Sequence, residues 1–523
     1  MKNMVLVLIA CAAICPAAEA QVDTAWVRVR DYGHSNGNNV AVDDAGNVYV
    51  GGYGDIAGDQ GAITVAYDSL GRELWTQYYT GIYHSYPSRI EMHVNGNDDI
   101  SVLGPVGGNS DAEFCTIRYN SGGDSLWSRL YAGPVQNSAY PRAVVSDDAG
   151  NVYAAGSSDG PCWAIVKYDR VGDLIWERIY TGYPDLSAIG VYDIKLDGEG
   201  DLVVLGQSIV RQGDGISCVT TAKYDTAGNL LWASRHDSSS IVSDVFMAID
   251  SDDNIFVSVL SDSGSWVHKP LLIKYLPDGD TAWSRIVPGN IYWEGIPFVL
   301  AVDSSGNAYI SGSQSGAFIT LKYSPAGDTL WSRSDGDFES GNYPRDIAMG
   351  ESGAVYVAGV AADSLGRDFC VLKYSLDGEL IWTYRYECSG PYPGYLADLA
   401  LDSYENIYFT GYNDLKMITV KLVQRPTGIG DEPTPLPAEM NLSAYPNPFN
   451  AQTTISYSLS WPGPVILDIF NITGQKVAGL VSGDLQAGEH NVTWDTGGLS
   501  SGVYLARLAA MGESETVKMV VLK

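Results

Sequence analysis

One two-part pattern recurs eight times along this chain, at intervals of about fifty residues. Its first half reads Asp43-Asp44-Ala45-Gly46-Asn47-Val48-Tyr49. It returns as Asp147-Asp148-Ala149-Gly150-Asn151-Val152-Tyr153 and as Asp303-Ser304-Ser305-Gly306-Asn307-Ala308-Tyr309, with looser copies from Asn95, Asp197, Asp250, Glu351 and Asp402. The second half runs from Tyr67-Asp68-Ser69-Leu70-Gly71 to Trp75, and recurs as Lys223-Tyr224-Asp225 to Trp232 and Lys373-Tyr374-Ser375 to Trp382. A unit this short cannot bury its own apolar face, so successive units must stack as a solenoid or a ring. Alternating Val, Ile, Tyr and Trp punctuated by Gly and Asp is strand chemistry. Gly and Asn supply the positive φ of tight hairpins, and Asp bonds its own backbone. The first unit accordingly divides into strands over 39–43, 48–52, 63–67 and 73–79, and no segment sustains a helical period.

Four antiparallel strands per unit around a centre make a β-propeller blade. Trp26, Trp75, Trp127, Trp176, Trp232, Trp283, Trp331 and Trp382 number eight, as do the turns. Their phases differ: Trp26 precedes the first turn, whereas the last unit, Leu399 to Leu422, has no tryptophan after it. The strand around Trp26 is therefore expected to complete that last blade and remove the open edges of the array. Recurrence in register makes each of these tryptophans a packing residue between blades. Residues 22–424 resemble secreted bacterial β-propeller repeat proteins, whose units carry D-x-x-G-N-x-Y-x-x-G and K-Y-D-x-x-G-x-x-x-W. That resemblance implies the architecture and no reaction.

Residues 1–20 read as a secretory signal peptide: Lys2, an apolar stretch from Val5 to Ala13, and Ala18-Glu19-Ala20 before Gln21. Leu8-Ile9-Ala10-Cys11 also fits a lipoprotein box, which would instead acylate Cys11. No later run is apolar enough to cross a bilayer. A net charge of −31 opposes contact with phosphate backbones, so nucleic acid is not an expected partner. Cys115, Cys162, Cys218 and Cys370 sit at even offsets before repeat tyrosines, which places them on one face of equivalent strands as core filler.

After Lys421 the pattern stops. Residues 425–440 hold Pro426, Pro433, Pro435 and Pro437, the composition of an extended linker. From 441 to 523 some seven short strands with turns at Asn471–Gly474 and Gly497-Gly498 suggest a small Ig-like sandwich. Tyr445-Pro446-Asn447-Pro448-Phe449-Asn450, Phe470-Asn471-Ile472-Thr473-Gly474-Gln475-Lys476-Val477, Ser501-Gly502-Val503-Tyr504 and the ending Lys518 to Lys523 resemble the type A sorting domain of the type IX secretion system, which is close to the Ig-like domain of flagellar hook-capping proteins. The resemblance implies an export address read by the type IX machinery, and a secreted or cell-surface destination. The expected whole is an all-β chain: signal peptide 1–20, eight-bladed propeller 21–424, linker 425–440 and sorting domain 441–523, as a monomer.

The repeat contains no catalytic constellation. A quinoprotein docking repeat would need a longer turn and an adjacent cysteine pair. In Ser375-Leu376-Asp377-Gly378 the Gly stands one place too early for a sialidase box. His34, His84, His93, His236, His268 and His490 have no metal-ligand spacing, and the turns offer one or two acids where an EF-type loop needs several. No cofactor is expected, and calcium at most weakly. Binding remains, on the variable loops that join second to third strands and blade to blade. Recurring Tyr-Pro pairs there, including Tyr140-Pro141, Tyr343-Pro344 and Tyr392-Pro393, read as loop stiffeners. Off-repeat Trp266, His268, Tyr292, Trp293 and Glu294, with Trp163, are the candidate contacts for a glycan or protein ligand. A binding or adhesion scaffold is the leading expectation, and a polysaccharide hydrolase or lyase the alternative.

Overall fold

The structure is a computed structural model that describes residues 22–424 and 441–523, except for 57–58, 81–89, 108–111, 135–138, 159–161, 183–185, 211–216, 239–244, 263–266, 288–290, 293–297, 315, 336–341, 364–365, 389–391, 460–462, 486–487 and 511–512. The signal peptide, Cys11 and the linker therefore lie outside the described residues.

Eight antiparallel sheets follow one another from Asn36 to Gln424, each with its strands in sequence order. The first blade comprises Asn36–Val42, Val48–Ile56, Asp59–Tyr67 and Glu73–Thr80. The eighth comprises Tyr395–Leu401, Ile407–Asn413 and Lys416–Gln424, and its outermost strand is Val22–Arg30. Trp26 pairs with Lys421, which is the ring closure expected from the phase of the repeats. Hydrogen bonds join both ends of the propeller in one blade, so the N-terminal strand supplies the fourth strand that the last repeat lacks.

The repeat side chains explain why blades stack. In the first turn Asp43 accepts from the Asn47 backbone N–H at 2.7 Å, the Asn47 amide at 2.9 Å and the Tyr49 hydroxyl at 2.8 Å. The same set forms at Asp303 and Asp402. The repeat lysine lies over the ring that follows the turn, as Lys322 does over Tyr309 at 5.0 Å and Lys421 over Tyr408 at 5.0 Å.

Between blades, seven of the eight repeat tryptophans cover the glycine of the next blade's outer turn. Trp331 Nε1 donates to Leu376 O at 3.0 Å, and a Cβ on Gly378 would lie 2.6 Å from its indole. Trp26, Trp75, Trp127, Trp176, Trp232 and Trp283 repeat this contact with Ser69, Ser121, Arg170, Thr226, Pro277 and Pro325. Two residues beyond the tryptophan, Arg28, Arg129, Arg178, Arg285 and Arg333 donate to the carbonyl of that same glycine. The eighth seam differs because the last blade has chain ends where the others have a turn. Trp382 Nε1 is buried without an acceptor, and Lys373 reaches Gln424 instead of a turn carbonyl.

The innermost strands stitch the centre. In the first, third, fourth, seventh and eighth blades they carry a one-residue bulge, at Asn38, Arg142, Tyr192, Arg345 and Ala397, with a second in the fourth blade at Ile189. The glycine opposite is obligatory: a Cβ on Gly411 would meet Tyr395 O at 2.1 Å. After two of these bulges a carboxylate crosses to the next blade. Asp346 accepts from Leu399 N–H at 2.9 Å, and Asp398 from Val40 N–H at 2.7 Å. Burial raises the Asp346 carboxyl above the ordinary range, and a hydrogen bond to Asp398 opposes that shift.

Residues 441–523 form a sandwich. Asn441–Tyr445, Gln452–Leu459 and Gly488–Asp495 make one sheet; Lys476–Leu485, Gly463–Asn471, Gly502–Ala510 and Glu513–Val521 make the other. Their core holds Phe449, Ile455, Leu467, Ile469, Trp494, Tyr504 and Met519. Asn447 clasps the final strand, donating to Lys518 O at 2.7 Å and accepting from Val520 N–H at 2.9 Å. The Tyr-Pro-Asn-Pro-Phe motif and the basic ending are thus two sides of one contact.

Two outcomes follow from the seams. Trp176→Phe should destabilise the propeller by about 1 kcal/mol more than Trp382→Phe, because only Trp176 loses a hydrogen bond; equal shifts in chemical denaturation would contradict this. Since Asp346 binds its proton more tightly folded than unfolded, stability should fall as pH rises from the ordinary carboxyl range through its raised value. The slope is at most about 1.4 kcal/mol per pH unit, and Asp346→Asn should flatten that limb of the pH–stability curve.

Candidate functional site

The tight turns within blades all lie on one face of the ring, and the links from second to third strands and from blade to blade on the other. On the tight-turn face the acidic repeat groups are consumed by their own hairpins and neighbours. A hollow there of about 770 Å³ is lined by Asp99, Arg118, Trp127 and Arg170, among others. Several of its polar groups are committed: Arg118 pairs with Asp99 and donates to Gly150 O and Arg170 O, and Trp127 donates to Arg170 O.

A second hollow of about 380 Å³ opens on the central channel, between the inner strands of the second, third and fourth blades. Glu91, His93, Ser146, Asp193 and Lys195 line it. His93 Nδ1 lies 2.9 Å from Ser146 Oγ and accepts from Ser146 N–H at 3.2 Å, which puts the ring proton on Nε2. Burial, and then Lys195, lower the imidazole to about 4, so it is neutral at physiological pH. Serine and imidazole touch, but Nδ1 is already occupied by a backbone N–H and Ser146 is buried. The pair is built as a packing contact and lacks the access a nucleophile requires. Among the described residues no group of three or more His, Cys, Asp or Glu is placed to hold a metal ion.

Of the side chains singled out from sequence, Trp266, Trp293 and Glu294 lie outside the described residues. The backbone brings His268 and Tyr292 together: the short strand Ile291–Tyr292 pairs with the start of Val267–Tyr275, Val267 opposite Tyr292 and His268 opposite Ile291. This adds a fifth strand to the fifth blade, and to no other among the described residues. Trp163 is a correction. It is fully buried, stacked on Tyr180 at 4.6 Å, with Nε1 donating to Gln207 O at 3.4 Å in the next blade. Its ring fills the space over Gly206 and presents nothing to a ligand. The four repeat-strand cysteines are buried and none of the five described forms a disulfide.

The Tyr-Pro pairs at 140 and 343 also depart from expectation. They begin innermost strands, each immediately before a bulge, and do not stiffen loops. In the seventh blade the pair is followed by Arg345, whose guanidinium lies 4.8 Å from the Tyr343 ring and 4.3 Å from the Tyr395 ring of the eighth. Arg367 also lies 5.4 Å from the Tyr343 ring and donates to its hydroxyl at 2.8 Å. Tyr412 stacks on Tyr395 at 5.0 Å and 19°. Sequence reading missed this cluster, although Tyr-Pro-Arg is printed twice in the chain, at 140–142 and 343–345.

Residues 443–522 match the secretion system C-terminal sorting domain family. No curated protein matches the chain. Among solved structures, PorZ, an essential bacterial surface component of the type IX secretion system of Porphyromonas gingivalis, aligns over 93% of this chain and 70% of its own at 14% identity and a TM-score of 0.40. Sqt1 from Chaetomium thermophilum aligns over 78% and 100% at 11% identity and 0.49, and the lectin BP39L from Burkholderia pseudomallei over 68% and 100% at 13% and 0.43. At these values the likenesses carry no functional argument. The chain bears a type IX secretion system C-terminal sorting domain behind a β-propeller, and is a secreted or cell-surface protein.

Proposed function

We propose that this protein is a non-enzymatic propeller, delivered to the cell exterior, that binds a ligand on the face carrying the variable links. The observation that supports this reading is the commitment of the repeat's polar groups. Turn aspartates are saturated by Asn and Tyr, lysines lie on rings, and arginines and indoles on the next blade's carbonyls. What the repeat leaves uncommitted is at the channel mouth and on the opposite face, where a rigid ring holds non-repeating residues in place. The 441–523 sandwich is read as an Ig-like address, separated from the ring by the proline-rich linker 425–440, with the mature chain starting after Ala20.

Two experiments test this reading. Binding of the purified chain across panels of glycans and peptides, with product analysis of each, should give retained ligand and no turnover; ligand cleavage that one channel-side carboxylate substitution abolishes would establish the hydrolase or lyase alternative. Truncation after Gln424 should leave a propeller of unchanged unfolding midpoint held in the periplasm of a host with the type IX machinery. Normal surface arrival of that truncated chain would refute the sorting role, and loss of the folding transition would refute the boundary.

A further inference from the structure

We propose that the stack of Arg367, Tyr343, Arg345, Tyr395 and Tyr412, at the mouth of the channel between the seventh and eighth blades, binds the acidic groups of an anionic glycan. This rests on the reading of the protein as a surface binding propeller and assigns it a site and a ligand class.

The stack alternates cation and ring. Tyr343 has two guanidinium groups against its ring, at 4.8 and 5.4 Å, and Arg345 packs on two tyrosine rings, at 4.8 and 4.3 Å. A guanidinium packed on rings still presents its edge, and that edge is a fork of N–H donors matched to carboxylate or sulfate. Most described arginines have given that edge away. Arg28, Arg129, Arg178, Arg285 and Arg333 hold turn carbonyls, while Arg30, Arg72, Arg118 and Arg385 pair with carboxylates. Arg345 does neither, and its Nε is buried with no acceptor. A buried donor kept without a partner in a chain with twice as many acids as bases marks a place where the acceptor comes from outside.

Nearby acids do not fill that place. Asp346 and Asp398 turn to the backbone N–H groups of Leu399 and Val40, and Asp368 is taken by Arg385 and the Cys388 N–H. The acidic turns built on Asp43, Asp147, Asp250 and Asp303 lie on the opposite face of the ring. The overall negative charge therefore does not exclude an anion here, where Arg367 supplies a second guanidinium one ring away. A chain of acidic sugars carries charges at a regular interval and hydroxyls between them, which suits two cations spaced by a tyrosine beside the exposed Tyr392. The opposite blade serves as an internal contrast. Tyr140-Pro141-Arg142 has the same bulge, but the register position corresponding to Tyr395 is Gly190, which offers Arg142 no ring from the next blade.

The test is binding of the full chain to polygalacturonate and dextran sulfate, with neutral dextran and poly-glutamate as comparisons, by calorimetry at two salt concentrations. The two acidic polysaccharides should bind in a salt-sensitive manner and neutral dextran should not. Arg345→Gln should weaken binding about tenfold or more, Arg367→Gln should weaken it also, and Arg142→Gln should leave it unchanged. Should Arg345→Gln fail to fold, the Arg367→Gln comparison decides. Unchanged affinity in the stack variants would overturn the site while leaving surface binding intact. Equal affinity for poly-glutamate would make the ligand an acidic peptide and overturn the glycan assignment. Retention of neutral dextran alone would overturn this proposal and favour the broader one, whereas cleavage of any probe would sink both.

Discussion

Everything in the ring depends on an indole laid over a glycine. The outer turn of each of the first seven blades places glycine in the left-handed region, and the preceding blade's tryptophan occupies the space a side chain would need. The same indole donates to a carbonyl of that turn, so an apolar contact and a hydrogen bond form together. Neither residue could be replaced alone: a Cβ would strike the ring, and a smaller ring would leave the carbonyl to the lysine alone and open a void. The repeat is consequently a record of contacts between neighbours more than within a blade. The tryptophan of one unit answers the glycine of the next.

That division of labour shapes where function can sit. Polar groups in the tight turns are bound twice or three times over, and the inner strands use carboxylates to reach the next blade's backbone. Such a scaffold is rigid because few of its donors and acceptors remain to exchange partners with solvent. The exceptions gain meaning for the same reason. Trp382 lacks its acceptor because the closing blade is made from two chain ends. Arg345 Nε lacks one too, and Arg345 is the extra residue of its inner-strand bulge.

The C-terminal module obeys a different logic. Its core is contained within residues 442–521, and its opening motif closes on its last strand through Asn447 and Phe449. The module therefore folds only when its opening motif and its last strand are both present.

Much of this was legible in the residues. Period, strand alternation and turn chemistry determined a ring of four-stranded blades, and the offset between Trp26 and the first turn determined how it closes. The sorting motifs were equally local. Side-chain sites were less accessible. Trp163 breaks the repeat in sequence yet fills a core gap over Gly206, which only the neighbouring blade reveals. The Tyr-Pro pairs looked like loop residues because a bulge has no sequence signature of its own. Arg345 and Tyr395 are fifty positions apart and meet only because consecutive inner strands lie side by side. A period determines which residues are equivalent. Which non-equivalent residues touch across a seam is decided by the curvature and register of the closed ring, and that is a property of tertiary structure.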